Sequence, residues 1–183
     1  MSNTDLVAFI RDEIQKGGPI PFARFMELAL YHPELGYYHS PEEKIGPKGD
    51  YYTSPSVHPI FAKLLAKQMI QMADILMADT EKMTFVEFGA GDGSLSQKIL
   101  ESVQEQSPTF FNRLTYIIIE KSRSFQNRQK EKLQHLYKNV VQWEDKMPSC
   151  IGVVISNELL DAFPIHRLQI NNSLLEEIYV NWD

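Results

Sequence analysis

Residues 84–95, Thr84-Phe-Val-Glu-Phe-Gly-Ala-Gly-Asp-Gly-Ser-Leu95, decide the fold. An apolar run closes on Glu87, glycines follow at the alternate positions Gly89, Gly91 and Gly93, and an amphipathic segment begins at once. That order predicts a strand, a tight turn and a helix. Glycine reaches backbone angles closed to other residues, and its missing side chain lets a ligand lie against the main chain. The dinucleotide pattern G-x-G-x-x-G needs its third glycine where Ser94 stands. The third glycine here comes one residue early, so the turn departs from the dinucleotide class.

Outward from this turn, strand and helix patterns alternate. Strands are predicted at 84–88, 115–120, 139–142 and 151–155, with helices near 94–106 and 122–137. Alternation of this kind implies parallel strands joined by right-handed crossovers, hence an α/β sheet. Val153–Ile155 is apolar enough to predict burial on both faces. His166–Ile170 and Leu174–Val180, joined across Asn171-Asn172, read as an antiparallel hairpin. Upstream, Leu6, Ile10 and Ile14 mark a helix over 4–16, a second helix starts at Pro21, and a longer one covers roughly 58–78. The glycine-, proline- and tyrosine-rich stretch 33–57 predicts an ordered loop, because a disordered linker carries fewer aromatics. The domain reading is an N-terminal helical segment and covering loop over 1–80 and a Rossmann-like portion over 81–183.

The 183 residues are 43% hydrophobic and 23% charged with a net charge of −6, which fits one sizeable core and offers no broad phosphate-binding surface. Nucleic acid is therefore not an expected partner, and no apolar run is long enough for a membrane span. Cys150 stands alone and reads as structural, and no histidine spacing makes a metal site. Asp5, Asp12 and Glu13 are unlike an acid-poor mitochondrial presequence, so a cytoplasmic location is expected.

Three groups of residues carry the candidate chemistry. The turn Gly89-Ala90-Gly91-Asp92-Gly93 is similar in spacing to the S-adenosylmethionine (SAM) site of methyltransferases. Glu120 ends the second apolar strand, where a carboxylate can accept two hydrogen bonds from ribose hydroxyls; the alternative is a solvated charge closing the strand or a helix-capping group beside Ser122. Glu87 and Asp92 flank the turn. Their charges favour the amino group and sulfonium of SAM; either residue can instead satisfy backbone donors in the turn, and for Asp92 the two readings stand level. The third group is Asn157, Glu158 and Asp161, delivered by an apolar strand to the carboxyl edge where open α/β sheets bind ligands. Arginine stays protonated to about pH 12 or beyond and is a poor nucleophile while its charge is delocalised. Paired carboxylates such as Glu158 and Asp161 would orient a guanidinium and accept its proton late in a methyl transfer.

The chain resembles the MidA-like SAM-dependent methyltransferases, a family that includes the mitochondrial complex I assembly factor that methylates an arginine. The resemblance rests on Gly18-Pro-Ile-Pro-Phe-Ala-Arg-Phe-Met26, Leu30-Tyr-His-Pro33 with Gly36-Tyr-Tyr38, and Gly49-Asp-Tyr-Tyr-Thr-Ser-Pro55. It continues through Val86–Leu95 and Ser156-Asn-Glu-Leu-Leu-Asp-Ala-Phe-Pro164. It implies a Rossmann-like class I SAM-dependent methyltransferase fold and a protein substrate presenting an arginine. It also implies a covering loop in which Tyr52, Thr53 and Ser54 approach the cofactor, and an acceptor site bordered by Asn157, Glu158 and Asp161. Family members are roughly twice as long and usually have seven strands, so the fold expected here is incomplete, with about four parallel strands, a C-terminal hairpin and an N-terminal helical extension. Val153–Ile155 would then lie at an open edge, to be covered by the hairpin, by a second copy in a homodimer or by a carboxyl-terminal half. The rival reading is a non-catalytic SAM-binding or assembly module. Methylation of a base nitrogen is disfavoured, because Glu158 and Leu159 replace the Pro-Pro-aromatic turn that such enzymes place after the fourth strand.

Overall fold

The computed structural model describes residues 3–39, 58–76 and 82–183. They divide into two compact units, Met1–Pro41 with Glu158–Asp183, and Glu42–Asn157. The boundaries differ from the expected break after residue 80. The cause is a pairing across the length of the chain: Ile20–Pro21 (β1) runs antiparallel to Tyr179–Val180 (β8), so the last strand folds with the first helices.

The larger unit begins, among the described residues, with helix α3, Ile60–Leu76. (The helices before it, α1, Asn3–Gly17, and α2, Phe22–Tyr31, belong to the other unit.) Strand β2, Met83–Phe88, leads through the glycine turn into α4, Ser94–Gln106, and the short helix α5, Pro108–Phe111. Then come β3, Leu114–Ile119, α6, Arg123–Leu133, β4, Val141–Trp143, and β5, Gly152–Ser156. All four strands are parallel in the order β4-β3-β2-β5. The chain thus steps outward from β2 to β3 and β4, then returns to the other side of β2. That reversal makes a topological switch point between β2 and β5.

Alternation along β2 and β3 separates two faces. Met83, Phe85, Leu114, Tyr116 and Ile118 join one large core with Ala66 and Met69 of α3 and Ile99, Leu100 and Val103 of α4. Val86, Ile117 and Ile119, with Phe88 against them, form a smaller cluster. The fourth strand departs from the prediction of burial on both faces. It is an edge strand among the described residues, and Val154 is 51% exposed. Nothing pairs beyond it there to close the second flank.

In the smaller unit, α1 (Asn3–Gly17) and α2 (Phe22–Tyr31) close a core of Ile10, Ile14, Ile20 and Leu28, with Val180 packed against it. Helix α2 starts at Phe22, one residue later than predicted, because Pro21 keeps extended angles and pairs with Tyr179. It stops at His32, which the following Pro33 holds extended. Strands β6, Leu168–Asn171, and β7, Leu174–Glu177, make the expected hairpin as a sheet of their own. Its loop is Asn172-Ser173, both at positive φ, as a type I′ turn requires. The predicted strand 174–180 divides at Ile178, whose N–H bonds Arg167 O while its carbonyl accepts from Phe22.

Candidate active site

All three turn glycines have positive φ, 65° at Gly89, 56° at Gly91 and 79° at Gly93. The turn is fixed to its surroundings by main-chain bonds: Gly89 N–H donates to Ile119 O at the end of β3, and Gly93 N–H to Ala90 O, each at 2.9 Å. Ala90 is buried in the main core, which leaves only its main chain for a ligand.

The three carboxyl-bearing expectations in this unit resolve differently. Glu87 is 2% exposed, and its Oε2 accepts from Ser96 Oγ at 2.5 Å and from Tyr116 Oη at 2.7 Å. Burial raises its pKa, and the two hydroxyl donors oppose that rise. The expected contact with the cofactor's amino group is therefore corrected: the side chain lies within the core and ties β2 to α4 and β3. Asp92 takes the alternative left open for it. Its carboxylate accepts from Ser94 N–H at 3.0 Å, Ser94 Oγ at 2.7 Å and Lys132 Nζ at 2.8 Å. Burial works against the charge, yet Lys132 and Ser94 hold the pKa below the usual aspartate range.

Glu120 sits at the carboxyl end of β3, half-buried. Its Oε1 accepts from Ser122 N–H at 2.9 Å, and its Oε2 from Gln129 Nε2 at 3.4 Å. Burial raises its pKa, opposed by hydrogen bonds from Ser122, Gln129 and the backbone of Lys121 and Gly91. A carboxylate has about four acceptor positions, so these four donors engage it, and a ribose diol would take the place of some of them. A glycine turn with half-buried Gly89 and Gly91 and a carboxylate at the next strand end fits an adenosine-bearing ligand.

Gln129 was not singled out from the sequence. It is 0% exposed on α6 and donates to Gly91 O at 2.7 Å, while its Oε1 accepts from Trp143 Nε1–H at 3.0 Å. Phe125, Gln129 and Leu133, spaced by four, are the buried residues of α6, so an amide within an apolar stripe was the available signal.

At the other side of the switch point, Asn157 follows β5 and lines a groove of ≈ 360 Å³ with Phe61, Leu65, Leu95 and Val154–Ser156. The chain leaves the larger unit at Asn157. Glu158 and Asp161 belong to the smaller one, and both are exposed. Glu158 has φ 50, the left-handed region unusual for a glutamate. Tyr52, Thr53 and Ser54 lie outside the described residues. No group of metal-ligating side chains occurs among the described residues, and Cys150 is exposed and unpaired.

Residues 64–183 match the model of a family described as "Putative S-adenosyl-L-methionine-dependent methyltransferase". The chain belongs to this family. Among solved structures, a Burkholderia thailandensis protein bound to S-adenosyl-homocysteine superposes with a TM-score of 0.84 at 32% identity, over 98% of this chain and 47% of that one. Among curated proteins, the Drosophila melanogaster homolog of the mitochondrial protein arginine methyltransferase NDUFAF7 is 24% identical over 94% of this chain and 44% of its own length. The human NDUFAF7 is 26% identical over 98% and 46%. The chain thus spans about half the length of the curated relatives it matches. These relatives are mitochondrial, which overturns the cytoplasmic location expected from the acidic residues near the amino terminus. Acidic residues at these positions therefore did not decide the compartment.

Proposed function

We propose that this chain carries the cofactor half of a SAM-dependent methyltransferase whose acceptor is an arginine of a protein. One observation carries the reading: the positive-φ glycine turn and the Glu120 carboxylate meet at the carboxyl edge of a parallel sheet, joined through Gln129. The relative bound to S-adenosyl-homocysteine, and those named as arginine methyltransferases, support it.

Gly89, Ala90, Gly91 and Gly93 would hold the cofactor along their main chain, and Glu120 would accept its ribose hydroxyls. When bound, SAM supplies an electrophilic methyl group on a positively charged sulfur. The protein's own work is to align a nucleophile and manage a proton. Glu158 and Asp161, exposed and free of ion pairs among the described residues, are the groups assigned to orient a guanidinium and take its proton. Asn157 contributes an amide to the same segment.

Calorimetric titration of SAM into the chain and into Gly91→Val tests the cofactor assignment. Binding is expected for the first and little for the second, because the φ of Gly91 is unfavourable for a β-branched residue. Equal heats from both would sink it. A second reading, a SAM-binding or assembly module that pairs with a partner chain or with its own copy, is favoured by the half-exposed edge strand β5. A monomer by light scattering, with methyl transfer intact, counts against it.

A further inference from the structure

We propose that Gln129 is a positioning residue for the cofactor, setting the glycine turn and the Glu120 carboxylate in register so that the ribose is read. The inference rests on the cofactor reading above. Gln129 is the residue through which three separate parts of the sheet's carboxyl edge are joined. Its Nε2 donates to Gly91 O in the turn after β2 and to Glu120 Oε2 after β3, and its Oε1 receives the indole N–H of Trp143 on β4.

The amide is not there for packing. Its neighbours in the buried stripe of α6 are Phe125 and Leu133, and an apolar side chain of similar volume would fill the site without loss of hydration. A buried amide is tolerated only when its hydrogen bonds are made. Here the partners are a carbonyl of the cofactor turn and the carboxylate assigned to the ribose. Rotation is also prevented from both ends. Trp143 fixes which end of the amide is the acceptor, because the indole can only donate. The stem lies under the turn, where a Cβ added at Gly93 would be 3.2 Å from Gln129 Cγ. A side chain held this way fixes the orientation of the Glu120 carboxylate that a ribose diol would meet.

The test measures ribose discrimination, which a purely structural role would not change selectively. S-adenosyl-homocysteine and its 2′-deoxy analogue are titrated calorimetrically into the wild-type chain, Gln129→Leu, Gln129→Asn, Trp143→Phe and Glu120→Ala, with folding checked by circular dichroism. The wild type should prefer the ribose form by about tenfold or more, the range of a hydrogen bond to a charged group. In Gln129→Leu this ratio falls toward one. Gln129→Asn, one methylene too short to reach both partners, shifts it the same way and keeps the test open if the leucine variant does not fold. Trp143→Phe frees the amide to rotate and gives a smaller fall. In the Glu120→Ala background the Gln129 change has no further effect on the ratio, the non-additivity of groups acting as a unit. A folded Gln129 variant that keeps the wild-type ratio overturns the proposal, as does a wild type that binds both ligands equally. A wild type that binds neither overturns the cofactor reading itself.

Discussion

Replacing Gly93 by alanine should destabilise the larger unit by about 2–5 kcal/mol, the sum of a conformational and a steric cost. Gly93 has φ 79 and ψ 7, a left-handed conformation. Forcing an L residue into it costs roughly 1–2 kcal/mol. The added Cβ would then lie 3.2 Å from Gln129 Cγ, 3.3 Å from Gln129 Cα and 3.5 Å from Leu133 Cδ1. The Cα belongs to the backbone of α6, so a side-chain rotation does not relieve the contact and the helix must give by a few tenths of an ångström. Overpacking of this kind adds about 1–3 kcal/mol. Gly18 supplies the control: φ is 83 there and nothing lies within 4 Å of an added Cβ. Gly18→Ala should therefore show the conformational cost alone, roughly 1–2 kcal/mol. Urea unfolding followed by far-ultraviolet circular dichroism gives both values from the midpoint and slope. For a chain of this size each kcal/mol moves the melting temperature by about 2–4 °C, so thermal scans should separate the two variants. A Gly93→Ala variant no less stable than Gly18→Ala refutes the steric half of the argument, and with it the tight seating of the turn on Gln129.

Two further outcomes follow from the carboxylates. Tyr116→Phe removes one of the hydroxyls donating to buried Glu87 and should cost about 1.5–3 kcal/mol, the range for a hydrogen bond to a charged group. Burial raises the pKa of Glu87, so its contribution to stability is present at low pH and is lost as pH rises through the folded-state value. Tyr116 opposes that rise, hence the penalty of its loss grows with pH, and urea titrations at about pH 5 and about pH 8 should differ in that sense. An equal penalty at both would show that Glu87 is not the partner that matters. Glu158→Gln should leave SAM binding intact and lower methyl transfer to a protein arginine by about 10²-fold or more, the usual weight of a positioned proton acceptor. Unchanged turnover removes Glu158 from its role.

The parts of the fold legible in the sequence were those written in local periodicity. Helix α4 occupies Ser94–Gln106, the predicted 94–106, because its apolar spacing and the glycines before it agree. Boundaries slipped where a distant partner decides them. Pro21 stayed outside α2 because it pairs with Tyr179, and residues 174–180 divided because Ile178 bonds to both Arg167 and Phe22. The candidate site divides in the same way. Glu120 could be placed from its position after an apolar strand, but the tasks of Glu87 and Asp92 could not. Their partners Tyr116 and Lys132 lie well beyond the turn in sequence.

By itself the sequence determined the glycine turn at 89–93, the parallel alternation that follows it and the carboxylate at the end of the second strand. Each of these depends on neighbours within a few residues, through allowed backbone angles and side-chain period. Only the tertiary structure decided which carboxylates remain available to a ligand. Glu87 is withdrawn into the core by two hydroxyls and Asp92 is occupied by Lys132, while Glu120 stays half-buried at the end of its strand. It also revealed Gln129 between the turn and Glu120. Hydrogen bonding and burial depend on which strands and helices become neighbours, and that is settled when the sheet closes its order, not along the chain.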